Sequence, residues 1–367
     1  MLLINTQRDA LLGPLQSVSG IVEKRHTLPI LSNVLLDKQG DRLTLLATDI
    51  EIQIKTSTPT TGGADAALTV GARKLQDILR ALPEGADVSL QLDDKRLTVK
   101  AGKSRFALQT LPAADYPRMA QSEGEALKLN LTQKRFKRLL GFVQYAMAQQ
   151  DIRYYLNGLL LVVAAAELRV IATDGHRLAF AAEPIEENLA HTEAILPRKT
   201  VLELARQLAD SDDPLEIQLG GNQVIFRFAS VELVSKLIDG KFPDYERVIP
   251  KNHPKLLTIP RITLLQSLER AAILTNEKFR GVRTVLADGS LKIIAANAEQ
   301  EEAVEEIEVD YTGEALDVGF NVTYLLDLLR NVSAENVECR LNDSNSSALF
   351  TLPGNEGFKY VVMPMRI

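Results

Sequence analysis

The chain has 367 residues, 46% hydrophobic and 25% charged, an ordinary globular balance with room for two or three domains. One cysteine, Cys339, excludes a disulfide framework, and no apolar run approaches the ~20 residues of a membrane span. Without a signal-peptide pattern at its N-terminus, and with a net charge of −6, it reads as a soluble cytoplasmic protein and not as a uniformly basic nucleic-acid binder.

In chain order, the first predicted helix covers 8–22, where Leu11, Leu12, Leu15 and Val18 recur at helical spacing. An alternating run over 42–46 leads into Ala47-Thr48-Asp49. Ala72-Arg73-Lys74 opens a helix over 72–80 with Leu75, Ile78 and Leu79, and strands 88–92 and 96–100 flank a turn at Asp93-Asp94. The order then repeats. Helix 132–150 carries Phe136, Leu139, Leu140, Val143 and Met147, and the run 168–171 leads into Ala172-Thr173-Asp174. Pro197-Arg198-Lys199 opens helix 197–209 with Val201, Leu202 and Leu204, before strands 215–219 and 223–228 around Gly220-Gly221. In the third copy, helix 260–276 carries Leu264, Leu265, Leu268 and Ala272, and 291–294 precedes Ala295-Ala296-Asn297. Phe320-Asn321-Val322 opens helix 321–330 with Tyr324, Leu325 and Leu328, before strands 337–341 and 348–352 around Asn342-Asp343.

The intervals between the three Ala-led turns are 125 and 123 residues, far beyond a solenoid unit of roughly 20–50. Three similar domains are therefore expected, at 1–122, 126–251 and 255–367. Each is α+β, with two helices segregated to one face of an antiparallel sheet.

Charge is distributed unevenly. The six predicted helices carry 0, +2, +4, +2, +1 and 0, which leaves −15 for the rest of the chain. Basic helices on an acidic body suggest one surface that meets a polyanion and another that repels it. Lys134, Arg135, Lys137 and Arg138 are either a solvated helix face or phosphate contacts, and no base-reading module accompanies them. Any DNA binding should then be indifferent to sequence.

Other motifs have plainer readings. Gly102-Lys103-Ser104 resembles the end of a phosphate loop, but Leu97 stands where the first glycine is required and a strand follows. Asp174-Gly175-His176-Arg177 gathers a carboxylate, an imidazole and a guanidinium, but Asp174 repeats Asp49 and Asn297, so a turn role fits better than catalysis or a metal. No cofactor or metal is expected. Tyr154-Tyr155 reads equally as a base-stacking pair or as core filling. The C-terminal run 360–367, with Met363 and Met365, is either a docked tail bordering an adaptable apolar groove or a last core strand.

Seven ordered segments carry a resemblance. They are Thr27-Leu28-Pro29-Ile30-Leu31, Thr110-Leu111-Pro112-Ala113-Ala114-Asp115-Tyr116-Pro117, Asp151-Ile152-Arg153-Tyr154-Tyr155-Leu156-Asn157-Gly158 and Ala172-Thr173-Asp174-Gly175-His176-Arg177-Leu178. Gly240-Lys241-Phe242-Pro243-Asp244-Tyr245, Asn276-Glu277-Lys278-Phe279-Arg280-Gly281 and Val362-Met363-Pro364-Met365-Arg366 follow. Over essentially its whole length the chain resembles the bacterial sliding clamps, the beta subunit of DNA polymerase III. The resemblance implies the DNA-clamp fold: a head-to-tail homodimeric ring with helices on its inner face and antiparallel sheets outside. It implies a non-catalytic processivity subunit of the polymerase holoenzyme. Such a ring encircles double-stranded DNA and tethers the replicative polymerase, the clamp loader and other replication and repair proteins through a short peptide motif.

The same resemblance places DNA contacts at Arg25, Arg73, Gln150, Tyr154, Tyr155 and Lys199. It places the partner-peptide pocket at Leu156, Thr173, Gly175, His176, Arg177, Leu178, Pro243, Arg247, Val248, Asn321, Tyr324, Ser347, Val361, Val362, Met363, Pro364, Met365 and Arg366. The subunit interface falls on Phe106 and Leu108 against Ile273 and Leu274, with Lys74, Lys103 and Arg105 facing Glu299, Glu302 and Glu305. Asn345 stands at the pocket rim where the family often has an apolar residue, and Ile367 ends the chain in place of the common leucine. The competing readings are a non-ring recruitment scaffold, which the basic helices disfavour, and an enzyme built around His176, which lacks a nucleophile or metal constellation.

Overall fold

A computed structural model describes residues 1–23, 28–120 and 126–366. Among them are seven α-helices: α1 Arg8–Ser19, α2 Ala72–Ala81, α3 Gln133–Val143, α4 Arg198–Gln207, α5 Tyr245–Val248, α6 Arg261–Ala271 and α7 Val322–Asn331. Six are the predicted ones. Their observed bounds leave the net charges unchanged.

Three ends fall well short of expectation, and one of them is α6, which stops at Ala271 and closes in a 3₁₀ turn over Ala272–Leu274 where the helix was expected to run to 276. The first helix stops at Ser19, where Val22 donates to the Ser19 carbonyl in a closing turn (3.1 Å). Helix α3 ends at Val143 and tightens into a 3₁₀ turn over Gln144–Ala146, because the Tyr145 carbonyl accepts from the Arg177 guanidinium (2.6 Å) and Met147 is already extended. A carbonyl claimed by a distant side chain no longer needs another helical turn.

The chain divides into two compact units. One comprises Met1–Lys137 with Lys199–Leu237, the other Arg138–Arg198 with Ile238–Ile367. The first is built on a twelve-stranded antiparallel sheet running from Leu2–Gln7 at one edge to Leu127–Thr132 at the other. α1 buries Leu11, Leu12, Leu15 and Val18 against α2 and the strands Arg42–Thr48 and Ile52–Pro59. Phe136 and Phe226 meet in its core, with ring centres 5.8 Å apart.

The second unit has two antiparallel sheets. The six-stranded sheet orders Gly158–Thr173, Arg177–Pro197, Asn355–Val362, Ala348–Leu352, Asn336–Leu341 and Lys255–Pro260. The four-stranded sheet orders Glu302–Glu308, Ser290–Ala296, Gly281–Ala287 and Leu316–Asn321. α6 and α7 pack on one another. α6 also covers the strands Glu302–Glu308 and Ser290–Ala296, while α7 reaches Asn355–Val362. Helices on antiparallel sheet are the predicted α+β layering.

The predicted hairpins form. Asp94 and Gly221 turn with φ of +48° and +57°, the left-handed conformation that tight hairpins need. The 342–347 loop is instead held by Asp343, whose Oδ1 accepts from the backbones of Asn345 (2.8 Å) and Ser346 (2.9 Å).

Candidate functional site

A densely bonded surface feature of the second unit is the hairpin joining Gly158–Thr173 to Arg177–Pro197. Asp174 Oδ1 accepts from the backbones of His176 (2.9 Å) and Arg177 (3.1 Å), and Thr173 Oγ1 donates to the Arg177 carbonyl (2.6 Å) while accepting from Gly175 (3.1 Å). Gly175 turns with φ +90°, the left-handed region that favours glycine, and a Cβ there would push aside the mobile end of Arg153, 2.8 Å away. Arg153 in turn bonds both oxygens of Asp151 and the Asp174 carbonyl (3.1 Å), and the bonds that its side chain and backbone make to Asp151 hold that carboxyl down to about 2.

Arg177 turns inward and is 9% exposed. Its Nε donates to Asp174 (3.1 Å), Nη1 to Asp327 (2.6 Å) and to the Tyr360 hydroxyl (3.4 Å), and Nη2 to the Tyr145 carbonyl (2.6 Å). Its guanidinium carbon lies 4.5 Å from the centre of the Tyr324 ring. Burial works against its charge, but Tyr360, Asp327 and Asp174 outweigh it and keep the guanidinium above its usual range.

Beside this knot lies an apolar floor. Leu156, Leu178 and Val361 are buried in one cluster with Leu160, Ile171, Phe180, Tyr245 and Leu349. Leu178 pairs with Val361 and Arg177 with Val362 across the strands. The last strand therefore ends at Val362, and the tail continues as a tethered segment: Met363 donates to the His176 carbonyl (3.0 Å) and Met365 to the Gly319 carbonyl (2.9 Å). The C-terminus is thus a core strand to Val362 and a tethered tail beyond it.

Of the predicted pocket residues, Leu156, Thr173, Arg177, Leu178, Val361 and Val362 are buried. Asn321, Tyr324, Ser347, Pro364 and Met365 are half-buried. Val248 and Met363 present apolar surface, 44% and 47% exposed, beside exposed Gly175, His176, Pro243, Arg247 and Arg366. Asn345 is exposed on the turn that Asp343 caps. Ile367 lies outside the described residues. Two groups the motifs did not mark, Asp327 and Tyr145, complete the constellation with Tyr360 of the C-terminal run. A lone acid on the otherwise apolar 322–329 stretch of α7 was the available signal for Asp327.

The predicted DNA contacts divide. Arg25 lies outside the described residues. Gln150 and Tyr154 are exposed, Tyr154 at 58%, whereas Tyr155 packs against the apolar floor. One tyrosine of the pair is thus at the surface and the other is half-buried against the core. Arg73 is exposed yet donates to the Val22 carbonyl (3.1 Å). Lys199 pairs with Glu23 (2.9 Å) and with Asp49. Burial works against its charge, but these acids outweigh it and hold the ammonium above its usual range.

The helix charges are correspondingly muted. Arg138, Lys199, Arg206, Arg270 and Arg330 all sit in ion pairs, several with acids from strands and loops. Counting charge element by element overstated the positive surface, because those acids return to the helices in three dimensions.

The predicted interface residues lie on two sheet margins. The strand Ser104–Pro112 pairs with Arg96–Ala101 along Ser104–Gln109, and only its end, from Thr110, meets Ala66–Gly71. Phe106 and Leu108 alternate half-buried along it beside exposed Lys103 and Arg105, and Lys74 is exposed on α2. Glu302–Glu308 is the edge strand of the four-stranded sheet. Ile273, 77% exposed, and half-buried Leu274 lie in the 3₁₀ turn after α6. Glu299 and Glu302 are exposed, but Glu305 is bonded by Arg270 (2.8 and 2.5 Å), which keeps its carboxyl below the usual range. It is already compensated within the chain.

Models of the DNA polymerase III beta subunit match in order: its N-terminal domain at residues 2–120, its central domain at 130–244 and its C-terminal domain at 246–366. The beta sliding clamp of Pseudomonas putida is 50% identical over 367 residues, covering 98% of this chain and 99% of the relative. That of Escherichia coli K12 is 46% identical over 362 residues with the same coverage. A solved Pseudomonas aeruginosa sliding clamp bound to griselimycin superposes with a TM-score of 0.96 at 46% identity, covering 100% of both chains.

Proposed function

The chain belongs to the DNA polymerase III beta subunit family, and from that membership we propose that it works as a DNA sliding clamp. It is a non-catalytic processivity factor that encircles duplex DNA and tethers the replicative polymerase. The observation that carries this is the ordered match of all three family domains from residue 2 to residue 366. The repeated Thr-Asp hairpins support domain boundaries at 1–122, 126–251 and 255–367. A bacterial replication factor of this kind acts in the cytoplasm, and no helix among the described residues is long and apolar enough to cross a membrane.

A head-to-tail homodimer joins two different margins, and two such interfaces close a two-subunit ring. The Phe106–Leu108 strand with its basic neighbours and the Ile273–Leu274 turn beside the acidic edge strand supply those margins. Retention on DNA is then topological. Phosphate contacts from Arg25, Arg73, Gln150, Tyr154, Tyr155 and Lys199 need only position the duplex, and the ion pairs on several helix cations keep such contacts weak enough to allow sliding.

Partner proteins, the polymerase and the clamp loader among them, dock a short peptide beside the hairpin 173–178. Its apolar anchors bury against Val248, Met363 and the Leu178–Val361 floor. A related clamp solved with griselimycin supports a ligand site in this family.

The test is retention on DNA. Loaded on circular DNA, the protein should survive high salt and leave only after linearisation, whereas binding to short linear duplex should fall steeply with salt. Equal loss from circular and linear DNA at high salt would leave a scaffold that recruits partners without encirclement.

A further inference from the structure

We propose that Asp327 is a positioning residue for partner binding, acting through Arg177 to fix the hairpin 173–178 and the Tyr324 ring. The proposal rests on that surface being the partner pocket.

The geometry assigns the role. A guanidinium has five N–H donors in a rigid plane. In Arg177 one goes to Asp174 on its own hairpin, one to the Tyr145 carbonyl after α3, one to Tyr360 on the last strand and one to Asp327 on α7. Asp327 lies three residues after Tyr324, so both side chains leave the same face of α7. From that face the carboxylate takes Nη1 at 2.6 Å while the ring lies 4.5 Å from the guanidinium carbon. Tyr360 braces the arrangement by donating to the Tyr324 carbonyl (3.0 Å). Asp327 thus ties α7 to the hairpin by its charge, and the guanidinium plane fixes how the ring and hairpin face each other.

Asparagine keeps the size and polarity of Asp327 but removes its charge. Arg177, 9% exposed, would then be left with weaker compensation and would re-aim towards Asp174 or solvent. The hairpin and ring would lose their fixed relation, and a peptide would have to order them on binding.

The experiment titrates a fluorescent peptide with a Gln followed by Leu and Phe anchors into the full-length protein. The variants are Asp327→Asn, Asp327→Glu, Arg177→Lys, the double variant Asp327→Asn/Arg177→Lys, and a deletion of 363–367 as a separate check of the pocket. Asp327→Asn should weaken binding about tenfold, and Asp327→Glu, which keeps the charge, should weaken it less. In the Arg177→Lys background the same Asn change should cost less than about twofold, because the guanidinium it acts through is gone. A purely structural Asp327 would give the same loss in both backgrounds, and that result would overturn the proposal. Unchanged affinity in Asp327→Asn, with weaker binding in the deletion, would overturn it while leaving the pocket in place. Unchanged affinity in the deletion would remove the pocket itself and this proposal with it. Should the Asn variant fail to fold, the Glu variant and its double with Arg177→Lys carry the same comparison.

Discussion

Asp49 and Asp174 stand 125 residues apart and hold their hairpins with the same bonds. Asp49 Oδ1 accepts from the backbones of Glu51 (2.9 Å) and Ile52 (2.8 Å), as Asp174 Oδ1 does from those two and three residues after it. In each copy the second oxygen takes a cation, Lys199 in the first and Arg177 in the second. Lys199 and Tyr324 also lie 125 residues apart. The first copy therefore puts its cation on the helix where the second puts an aromatic ring, with the cation moved to the hairpin.

The same comparison exposes a strained position. Ile50 occupies the place of Gly175 with φ +71° and is 41% exposed. Left-handed backbone costs an L-residue roughly 1–2 kcal/mol, and Asn tolerates it far better than a β-branched side chain. Ile50→Asn should raise the unfolding free energy by about 1 kcal/mol, read from urea denaturation. A loss of stability instead would show that the Ile50 side chain makes contacts worth more than the strain.

Ile273 is 77% exposed next to half-buried Leu274, apolar surface that a subunit contact would cover. Changing Ile273 and Leu274 together to Ala should weaken each subunit interface by several kcal/mol, at ~0.8 kcal/mol per methylene removed from burial. Sedimentation at nanomolar concentration should then give folded monomers. A dimer as tight as wild type would place the interface elsewhere.

Deleting 363–367 removes Met363 and the backbone bonds that tether the tail to His176 and Gly319. Peptide binding should fall by about tenfold or more, at ~1.4 kcal/mol per decade, while dimerisation and retention on circular DNA persist. Calorimetry with one peptide against both proteins reads this directly, and equal affinities would make the tail simple core.

Cys339 is buried, and burial pushes its thiol up to about 12. A disulfide reagent at pH 8 should find almost no reactive thiol in the folded protein and one per chain in denaturant. Because the folded value is raised, the associated stability is complete below the unfolded thiol's pKa of ~8.5 and is lost as pH rises towards 12. Rapid labelling in the native state would mean that the Asn336–Leu341 strand opens far more often than a central strand should.

Much of the fold was legible because it repeats. Leu11, Leu12, Leu15 and Val18 marked α1 by spacing, and Asp49 and Asp174 marked equivalent turns by position. The apolar floor was legible too, since Leu178 and Val361 sit in strongly apolar strands. The Arg177 knot was not. Its partners Tyr145, Asp327 and Tyr360 are up to 183 residues away in sequence, and periodicity carries no information about such contacts. The charge reading failed in part for the same reason, since Asp49 and Glu23 neutralise Lys199 from outside its helix.

The edge strand Glu302–Glu308 reads Glu-Ala-Val-Glu-Glu-Ile-Glu. An open strand edge is a template for any other open edge, including its own copy. Two such edges laid side by side would set rows of carboxylates against each other, which makes a symmetric mispairing unfavourable before any side chain is fitted. A basic margin such as the one bearing Lys103 and Arg105 escapes that penalty. Like charge on such an edge thus disfavours like-with-like encounters and the runaway strand addition that ends in aggregates.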